Sequence, residues 1–202
     1  MIRSLSLALA LVAVPALANA TEWTVDPAHS TASFTVKHMM VSTVRGEFGK
    51  ITGTATVNKP DYSDAQVDIT IDATTVDTRE PKRDAHLRSP DFFDVQKFPT
   101  LTFKSKRVDK GKEKGHLNLV GDLTMHGVTK EVTFDVTGPS QEMKTPFGTI
   151  AMGAEAKAKI NRKDFGLNWN KALEAGGVLV SEDVNIDINL ELSKKAPMKA
   201  ER

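Results

Sequence analysis

Apolar and polar residues alternate along most of the chain after residue 20. In one segment Phe34, Val36, His38 and Met40 fall on the same face. The same alternation recurs in residues 67–73, 101–104, 117–125, 132–136, 150–160 and 184–192. A segment from residue 44 to residue 57 is interrupted by three glycines, which predicts bulges or a tight bend. Because neighbouring side chains of a strand point to opposite faces, this pattern predicts an all-β, antiparallel sandwich or barrel of about eight strands.

One stretch, residues 79–94, lacks the alternation. Glu80 and Pro81 precede good helix formers. Because proline suits the first turn of a helix, this stretch predicts one short helix. Leu87, Phe92 and Phe93 are then available to plug one end of a barrel.

The first 20 residues have the features of a cleaved secretory signal peptide. Arg3 precedes an apolar run, and Ala18 and Ala20 supply a small-residue cleavage site. The run is shorter than the about 20 residues that span a bilayer. We expect cleavage after Ala20 and export to the periplasm. The expected organisation is a signal peptide over residues 1–20, one domain over residues 21–193 and a disordered tail over residues 194–202.

The composition of the remaining chain excludes several classes of function. The whole chain has 27 basic and 26 acidic side chains, so without Arg3 the two numbers are equal at 26 each. A chain without net charge is a poor nucleic-acid binder. Cysteine is absent, which excludes thiol chemistry and thiolate metal sites. No histidine spacing matches a compact metal motif. A site made of His29, His38 and Asp26 is conceivable, but isolated histidines are interpreted as hydrogen-bonded polar groups at the barrel ends, so no metal is expected.

Three successive alanines occupy the inward face of the strand predicted over residues 150–160. Ala154, Ala156 and Ala158 stand where a solid β core usually has larger side chains. A closed sheet of eight strands is about the size that holds one small ligand. Large facing side chains would fill the same space, so the pattern permits a cavity without requiring one.

Four blocks of sequence carry a resemblance to a known family. They are Trp23–Phe48, Val76–Ser105, Gly121–Val132 and Ile160–Leu167. Through them the chain resembles the bacterial periplasmic YceI-like family of lipocalin-like polyisoprenoid-binding proteins. The resemblance implies an extended antiparallel barrel whose interior binds, and carries or stores, an isoprenoid quinone, an isoprenoid pyrophosphate or a related fatty amphiphile. It implies no cofactor and no catalysis.

Under this resemblance the inward-facing residues become candidates for ligand contact. The predicted contacts with an apolar tail are Phe34, Val36, Phe48, Ile69, Ile71, Leu87, Phe92, Phe93, Phe103, Phe134, Ala154, Ala156, Ala158, Phe165 and Trp169. The predicted contacts with a polar head are His38, Arg83 and His86. For Arg83 and His86, attachment of the helix to the strands is an equal alternative, and it is the favoured role of Asp84.

Two other functions stay open at this point. An enzyme of lipid metabolism would use His86 or His38 with Asp84 as acid and base, which requires altered titration within a cavity. A structural or partner-binding module would have a filled barrel. For the favoured binding function, we expect transient contact with a membrane and leave a homodimer open.

Overall fold

A computed structural model describes residues 20–174 and 176–196. Within these ranges it contains twelve β-strands, one α-helix and two 3-10 turns, at Ala73–Thr75 and Arg162–Phe165. The helix α1 is Pro81–Arg88. The strands β1 to β12 are Thr21–Val25, Thr31–His38, Ser42–Phe48, Ile51–Val57, Gln66–Asp72, Val76–Asp77, Thr100–Lys110, His116–Met125, Val128–Thr137, Met143–Lys144, Thr149–Asn161 and Val180–Lys195.

The strands close into an antiparallel barrel. The long strand β12 pairs with β11 along one edge and with β2 and then β1 along the other. The strand pairs β1 and β2, β3 and β4, and β5 and β6 are successive segments of three barrel strands. In the described residues the ring is therefore eight-stranded, in the order β12, β1/β2, β3/β4, β5/β6, β7, β8, β9 and β11. This confirms the predicted all-β barrel.

Three neighbouring barrel strands bend where their two segments meet. Between β1 and β2, Pro27 lacks an N–H for the ladder and Asp26 accepts the N–H of Ala28 instead. Between β5 and β6, Asp72 accepts the N–H of Thr74 at the start of a 3-10 turn. The β3–β4 break falls at Gly49, one of the glycines that predicted a bend. Because the bends are adjacent in the sheet, this side of the barrel flares at one end.

The predicted short helix is present and covers this flared end. Glu80 caps α1 by accepting the N–H of Lys82, and Pro81 stands in its first turn. The side chain of Arg88 donates to the carbonyl oxygens of Thr74 and Val76, both at 2.9 Å. These bonds hold α1 against the 3-10 turn and β6, and β6 is not paired with β7. No helix within residues 20–174 and 176–196 has the length and apolarity to span a membrane.

The opposite end of the barrel is filled by protein. Trp23, only 2% exposed, packs there with the buried side chains of Val25, Met152 and Leu192. The pairing of Leu192 with both Val25 and Met152 places these residues at one level of the barrel. The Nζ of Lys194 lies 4.2 Å from the centre of the Trp23 ring and covers it from outside. The barrel is consequently a cup with one closed end.

Two boundaries differ from the sequence predictions. Met40, predicted on the inward face of a strand, lies in the turn after β2 and is 66% exposed. The last strand continues through Lys195, into the predicted disordered tail, because it pairs with β11 as far as Thr149. The predicted signal peptide up to residue 19 and the tail from residue 197 lie outside the described residues.

Candidate ligand-binding cavity

The barrel encloses an apolar cavity of about 510 Å³. Its size falls within the range of about 300–1,000 Å³ that is usual for ligand pockets. The wall is built from the inward faces of the strands and from the segment around α1. Strands β5, β7, β8, β9 and β12 contribute Val67, Ile69, Ile71, Leu101, Phe103, Leu119, Leu123, Met125, Phe134, Val184, Ile186, Ile188 and Leu190. The Trp23 cluster is not part of this wall, since it fills the barrel beyond Leu190.

Most of the predicted tail contacts lie on the cavity wall. They are Phe34, Val36, Phe48, Ile69, Ile71, Leu87, Phe92, Phe93, Phe103, Phe134, Ala156 and Trp169. Several pack as aromatic pairs, and the rings of Phe103 and Phe134 are 5.1 Å apart, edge to face. The ring of Phe34 lies over Gly46, where a Cβ atom would be 2.4 Å from the ring. A residue larger than glycine at position 46 would push Phe34 out of its place.

Three predicted tail contacts do not line the cavity. Ala154 lies opposite Leu190, one level nearer than Ala156 to the filled end around Trp23. Ala158 borders a separate, more polar groove beside Lys157 and Lys159. Phe165, 2% exposed, is taken up by the core under the 3-10 turn. These three placements correct the sequence prediction.

Whereas Ser33 and Thr102 lie within the strands, the charged residues of the wall and most of its polar ones gather at the flared end. The predicted head contacts His38, Arg83 and His86 all line the cavity there, with Thr78, Glu80, Lys82 and Arg162. A chain of contacts joins His86 to His38. The ring of His86 lies 4.7 Å from the ring of Trp169. The next residue, Asn170, is hydrogen-bonded through its side-chain amide to the backbone of Val180, and Val180 pairs with His38. Glu80, Lys82 and Arg83 are exposed, so the cavity opens to solvent at this end. We call this end the mouth.

The mouth carries more positive than negative charge. Lys82, Arg83 and Arg162 line it, against one carboxylate, that of Glu80. Arg162 is a residue that the sequence reasoning missed. It follows Ile160 by two positions, so the alternation of β11, extended one step, would have placed it inward.

Arg162 is the buried cation among the charged residues of the mouth. It is 4% exposed, and its guanidinium donates to the carbonyl oxygens of Ser181, Leu167 and Val180. Burial lowers the pKa of Arg162 from its usual value, and the nearby Glu182 carboxylate partly opposes this effect. Carbonyl dipoles solvate the charge without neutralising it, so the mouth keeps its positive field.

The structure assigns structural contacts to the residues around α1. Oδ1 of Asp84 accepts the N–H and the hydroxyl of Thr78, at 2.8 and 2.5 Å, which joins the helix to the wall as predicted. Arg83 donates to the hydroxyl and the carbonyl oxygen of the same Thr78. His86 binds Asp91 at 2.9 Å. Among these described residues no hydrogen bond joins Asp84 to His86.

A cluster of ionisable groups lies on the outside of the barrel. The ring of His29 and the carboxylate of Asp26 are hydrogen-bonded at 2.9 Å. A carboxylate oxygen of Glu191 is near, so that one side-chain N or O atom from each of the three residues lies within 4.8 Å of the other two. The bond to Asp26 raises the pKa of His29, and His29 lowers the pKa of Asp26. This cluster is remote from the mouth, because Glu191 is at the end of β12 that pairs near β1.

Comparisons with known proteins agree with this architecture. The YceI-like domain model matches residues 23–192. UPF0312 proteins of Staphylococcus aureus strains N315 and MSSA476 are each 37% identical over 173 residues, covering 86% of this chain and 98% of the relative.

Solved structures have the same fold. The Campylobacter jejuni YCEI protein superposes with a TM-score of 0.64 at 28% identity, over 79% of this chain and 90% of that one. BcnA of Burkholderia cenocepacia gives a TM-score of 0.70 at 23% identity, over 83% and 98%. A polyisoprenoid binding domain of Saccharophagus degradans, implicated in plant cell wall breakdown, gives 0.60 at 17% identity, over 87% and 98%.

Proposed function

The chain belongs to the YceI-like domain family, and from this premise we propose that it binds a long-chain polyisoprenoid or related amphiphile in its barrel and carries or stores it in the periplasm. The observation that carries the proposal is the apolar cavity with its charged residues collected at one end. The Saccharophagus degradans domain of the same fold, described as polyisoprenoid binding, supports this class of ligand. The predicted signal peptide supports the location.

The distribution of polarity along the cavity sets the orientation of the ligand. The closed end and the middle of the wall offer mainly apolar side chains such as Leu119, Phe134 and Leu190, and no charged ones among the described residues. The mouth offers Lys82, Arg83 and Arg162. The apolar chain therefore enters first, and the polar head stays at the mouth. The excess of positive charge favours an isoprenoid pyrophosphate over a quinone.

The free energy of loading depends on where the ligand starts. Burial of a chain from water contributes about 0.8 kcal/mol per methylene, which for a long isoprenoid would exceed the non-covalent limit near −20 kcal/mol. A polyisoprenoid rests in a bilayer, however, so transfer into the barrel changes its apolar environment little. Contacts with the head and fit of the chain then decide the balance. A small net difference suits a protein that both loads and unloads.

Binding without catalysis fits the arrangement of side chains better than the two alternatives. Asp84 is engaged by Thr78 and His86 by Asp91, so neither is held ready as an acid or base for the other. A module with a filled barrel would not leave a cavity of about 510 Å³.

Mass spectrometry of an organic extract of the purified protein tests the proposal. We expect a long-chain isoprenoid or fatty amphiphile at close to one molecule per chain. Extracts free of such a compound, from protein expressed in several bacterial hosts, would contradict it.

A matched pair of variants shows whether the compound occupies the barrel. Ala156 lines the cavity, and the neighbouring Lys157 points to solvent. Ala156→Phe should fill part of the cavity and lower the extracted ligand several-fold, whereas Lys157→Phe, which adds a ring outside, should retain it. Equal ligand content in both variants would place the compound elsewhere on the protein.

A further inference from the structure

The hairpin between β2 and β3 ends in three exposed apolar residues. Met39, Met40 and Val41 are 43%, 66% and 83% exposed. We call residues 39–41 the tip. Apolar side chains at such exposures contribute little to the folding free energy, because they stay in water. Three such residues in succession form a small apolar patch on the surface.

The backbone of the tip is also unfavourable for these residues. Met39 and Met40 have φ angles of 52° and 60°, and the N–H of Val41 donates to His38 across the turn. Three residues connect the paired His38 and Ser42, and the positive φ angles of the first two are ones that asparagine and glycine adopt most readily. An unbranched apolar side chain at both of these positions is therefore disfavoured locally and projects away from the sheet.

The tip stands beside the mouth of the cavity. His38, which precedes it, lines the cavity, and the N–H of Met39 donates to the carbonyl oxygen of Leu179 at 2.8 Å. Leu179 and Val180 are also part of the cavity wall. The exposed apolar surface of the tip thus continues into the apolar surface of the cavity.

Basic residues surround the tip. Lys37 and Arg45 are exposed on β2 and β3, and Lys171 holds the loop beside the tip through its carbonyl bond to Leu179. Lys82 and Arg83 face the mouth from α1. The acidic residues of the same region are Glu80 on the mouth, Glu174 in the loop, Asp91 beside His86, and Glu182 and Asp183, which follow the Ser181 that binds the backbone of Lys37. Glu182 is paired with Lys163 and Asp183 with Lys159, whereas within the described residues the structure gives Lys82 and Arg83 no ion pair. A small apolar projection with exposed cations beside it is the composition of surfaces that bind anionic bilayers.

From these observations, and resting on the proposed function, we propose that residues 39–41 insert into the surface of a lipid bilayer and hold the mouth of the cavity against it, so that the amphiphile passes between bilayer and barrel without crossing water. A second copy of the chain is a poorer occupant. A stable dimer buries about 800 Å² on each partner, which three side chains at a hairpin tip do not supply.

A tip variant and a matched control separate this role from a general effect of exposed apolar residues. The double variant Met40→Asn, Val41→Thr replaces two apolar side chains by polar ones that suit the backbone. Asparagine tolerates the positive φ of residue 40, and threonine is β-branched like the valine it replaces. Met143→Thr with Phe147→Asn removes two side chains that are 72% and 91% exposed at the closed end. Met143 and Phe147 lie on either side of Lys144, which pairs with Ile150 of β11. Ile150 pairs in turn with Lys194, whose Nζ covers the Trp23 ring at the closed end.

Flotation with vesicles of phosphatidylglycerol and phosphatidylethanolamine measures docking in ligand-free protein. The wild type and the closed-end variant should float to the same extent, and the tip variant should partition about tenfold less. Flotation of the tip variant equal to that of the wild type would overturn the proposal. So would an equal loss in the closed-end variant, or a wild-type dimer that the tip substitutions convert to a monomer.

Loading with an anthroyloxy-labelled fluorescent fatty acid links docking to the cavity. The tip variant should load several-fold more slowly than the wild type from vesicles and at the wild-type rate from detergent micelles. Equal loading rates from vesicles would overturn the proposal. Failure of the wild type to bind the fatty acid from detergent would contradict the proposed function, and ligand-free flotation would still decide whether the tip docks.

Discussion

The carboxylate of Asp84 holds α1 to the barrel wall from a buried position. It is 6% exposed and accepts two hydrogen bonds from Thr78. Asp84→Ala should lower the free energy of unfolding by about 2–3 kcal/mol, because hydrogen bonds to charged groups contribute about 1.5–3 kcal/mol and both donors lose their partner. Urea denaturation measures the difference.

Two further variants test the origin of this loss. Asp84→Asn keeps an amide oxygen and should recover part of the stability. Ala85→Ser, on the exposed face of the same helix, should change stability by less than about 0.5 kcal/mol. If the Asp84→Ala variant were as stable as the Ala85→Ser variant, the hydrogen bonds from Thr78 to Asp84 would contribute nothing to stability.

The exposed pair of His29 and Asp26 makes stability depend on pH. Its bond raises the pKa of His29 above 6.5 and lowers the pKa of Asp26 below 3.8. The contribution of His29 is complete below the pKa of 6.5 in the unfolded chain and is lost as pH rises through the raised folded pKa. That of Asp26 is complete above 3.8 and is lost as pH falls through the lowered folded pKa. The pair therefore stabilises the folded protein most between pH 3.8 and pH 6.5.

Replacement of His29 by asparagine tests this dependence. Asparagine keeps a donor for Asp26 but cannot be protonated. The wild type should exceed His29→Asn in Tm by more at about pH 5.5 than at about pH 8.5, and the effect should be small because both groups are exposed. An equal difference in Tm at the two pH values would show that the charge of His29 does not contribute.

At the scale of strands, β9 and β11 share the shortest ladder between any two neighbours of the eight-stranded ring in the described residues, when the two segments of a bent strand are counted together. Three residue pairs join them, with Asp135–Thr137 opposite Glu155–Lys157, whereas β8 and β9 pair from His116 to Met125. We expect the amides of β9 that face β11 to exchange hydrogen faster than those that face β8, because opening a short ladder requires less free energy. Exchange measured by NMR resolves the two sets. Equal protection of both edges would contradict a weak ladder between β9 and β11.

The alternation of residues predicted the strands because a half-buried strand has a period of two whatever its neighbours are. It did not predict where a strand ends in a turn. Met40 continued the alternation begun at Phe34, yet the chain reverses at Met39. The alanines of β11 show the same limit. Ala156 lines the cavity and Ala154 does not, because Ala154 lies nearer the end that Trp23 fills, and the alternation does not show which end is filled.

For the whole molecule, the sequence predicted a hollow barrel only through the resemblance. Which end is filled depends on long-range register, which pairs Trp23 with Ala55 and Val25 with Leu192. The gathering of Arg162 with Arg83 at the mouth likewise joins residues far apart in the chain. Contacts of this kind have no local signature, so the asymmetry of the cavity is visible only in the fold.

This asymmetry is testable because the two tryptophans mark the two ends. Trp169 lines the cavity beside His86 at the mouth, and Trp23 is buried at the closed end. Trp23→Phe leaves Trp169 as the sole tryptophan, and Trp169→Phe leaves Trp23. A fatty acid brominated beside its carboxyl group, which quenches by contact, should quench Trp169 strongly and Trp23 little.

Moving the bromine to the methyl end of the fatty acid provides the control. The tail lies deeper in the cup, so quenching of Trp169 should decrease while the affinity stays the same. Strong quenching of Trp23 by the carboxyl-end probe would reverse the orientation, because the head would then lie at the closed end. Equal quenching of Trp169 by both probes would mean that the chain has no fixed direction, and the positive charge at the mouth would then play no part in seating the ligand.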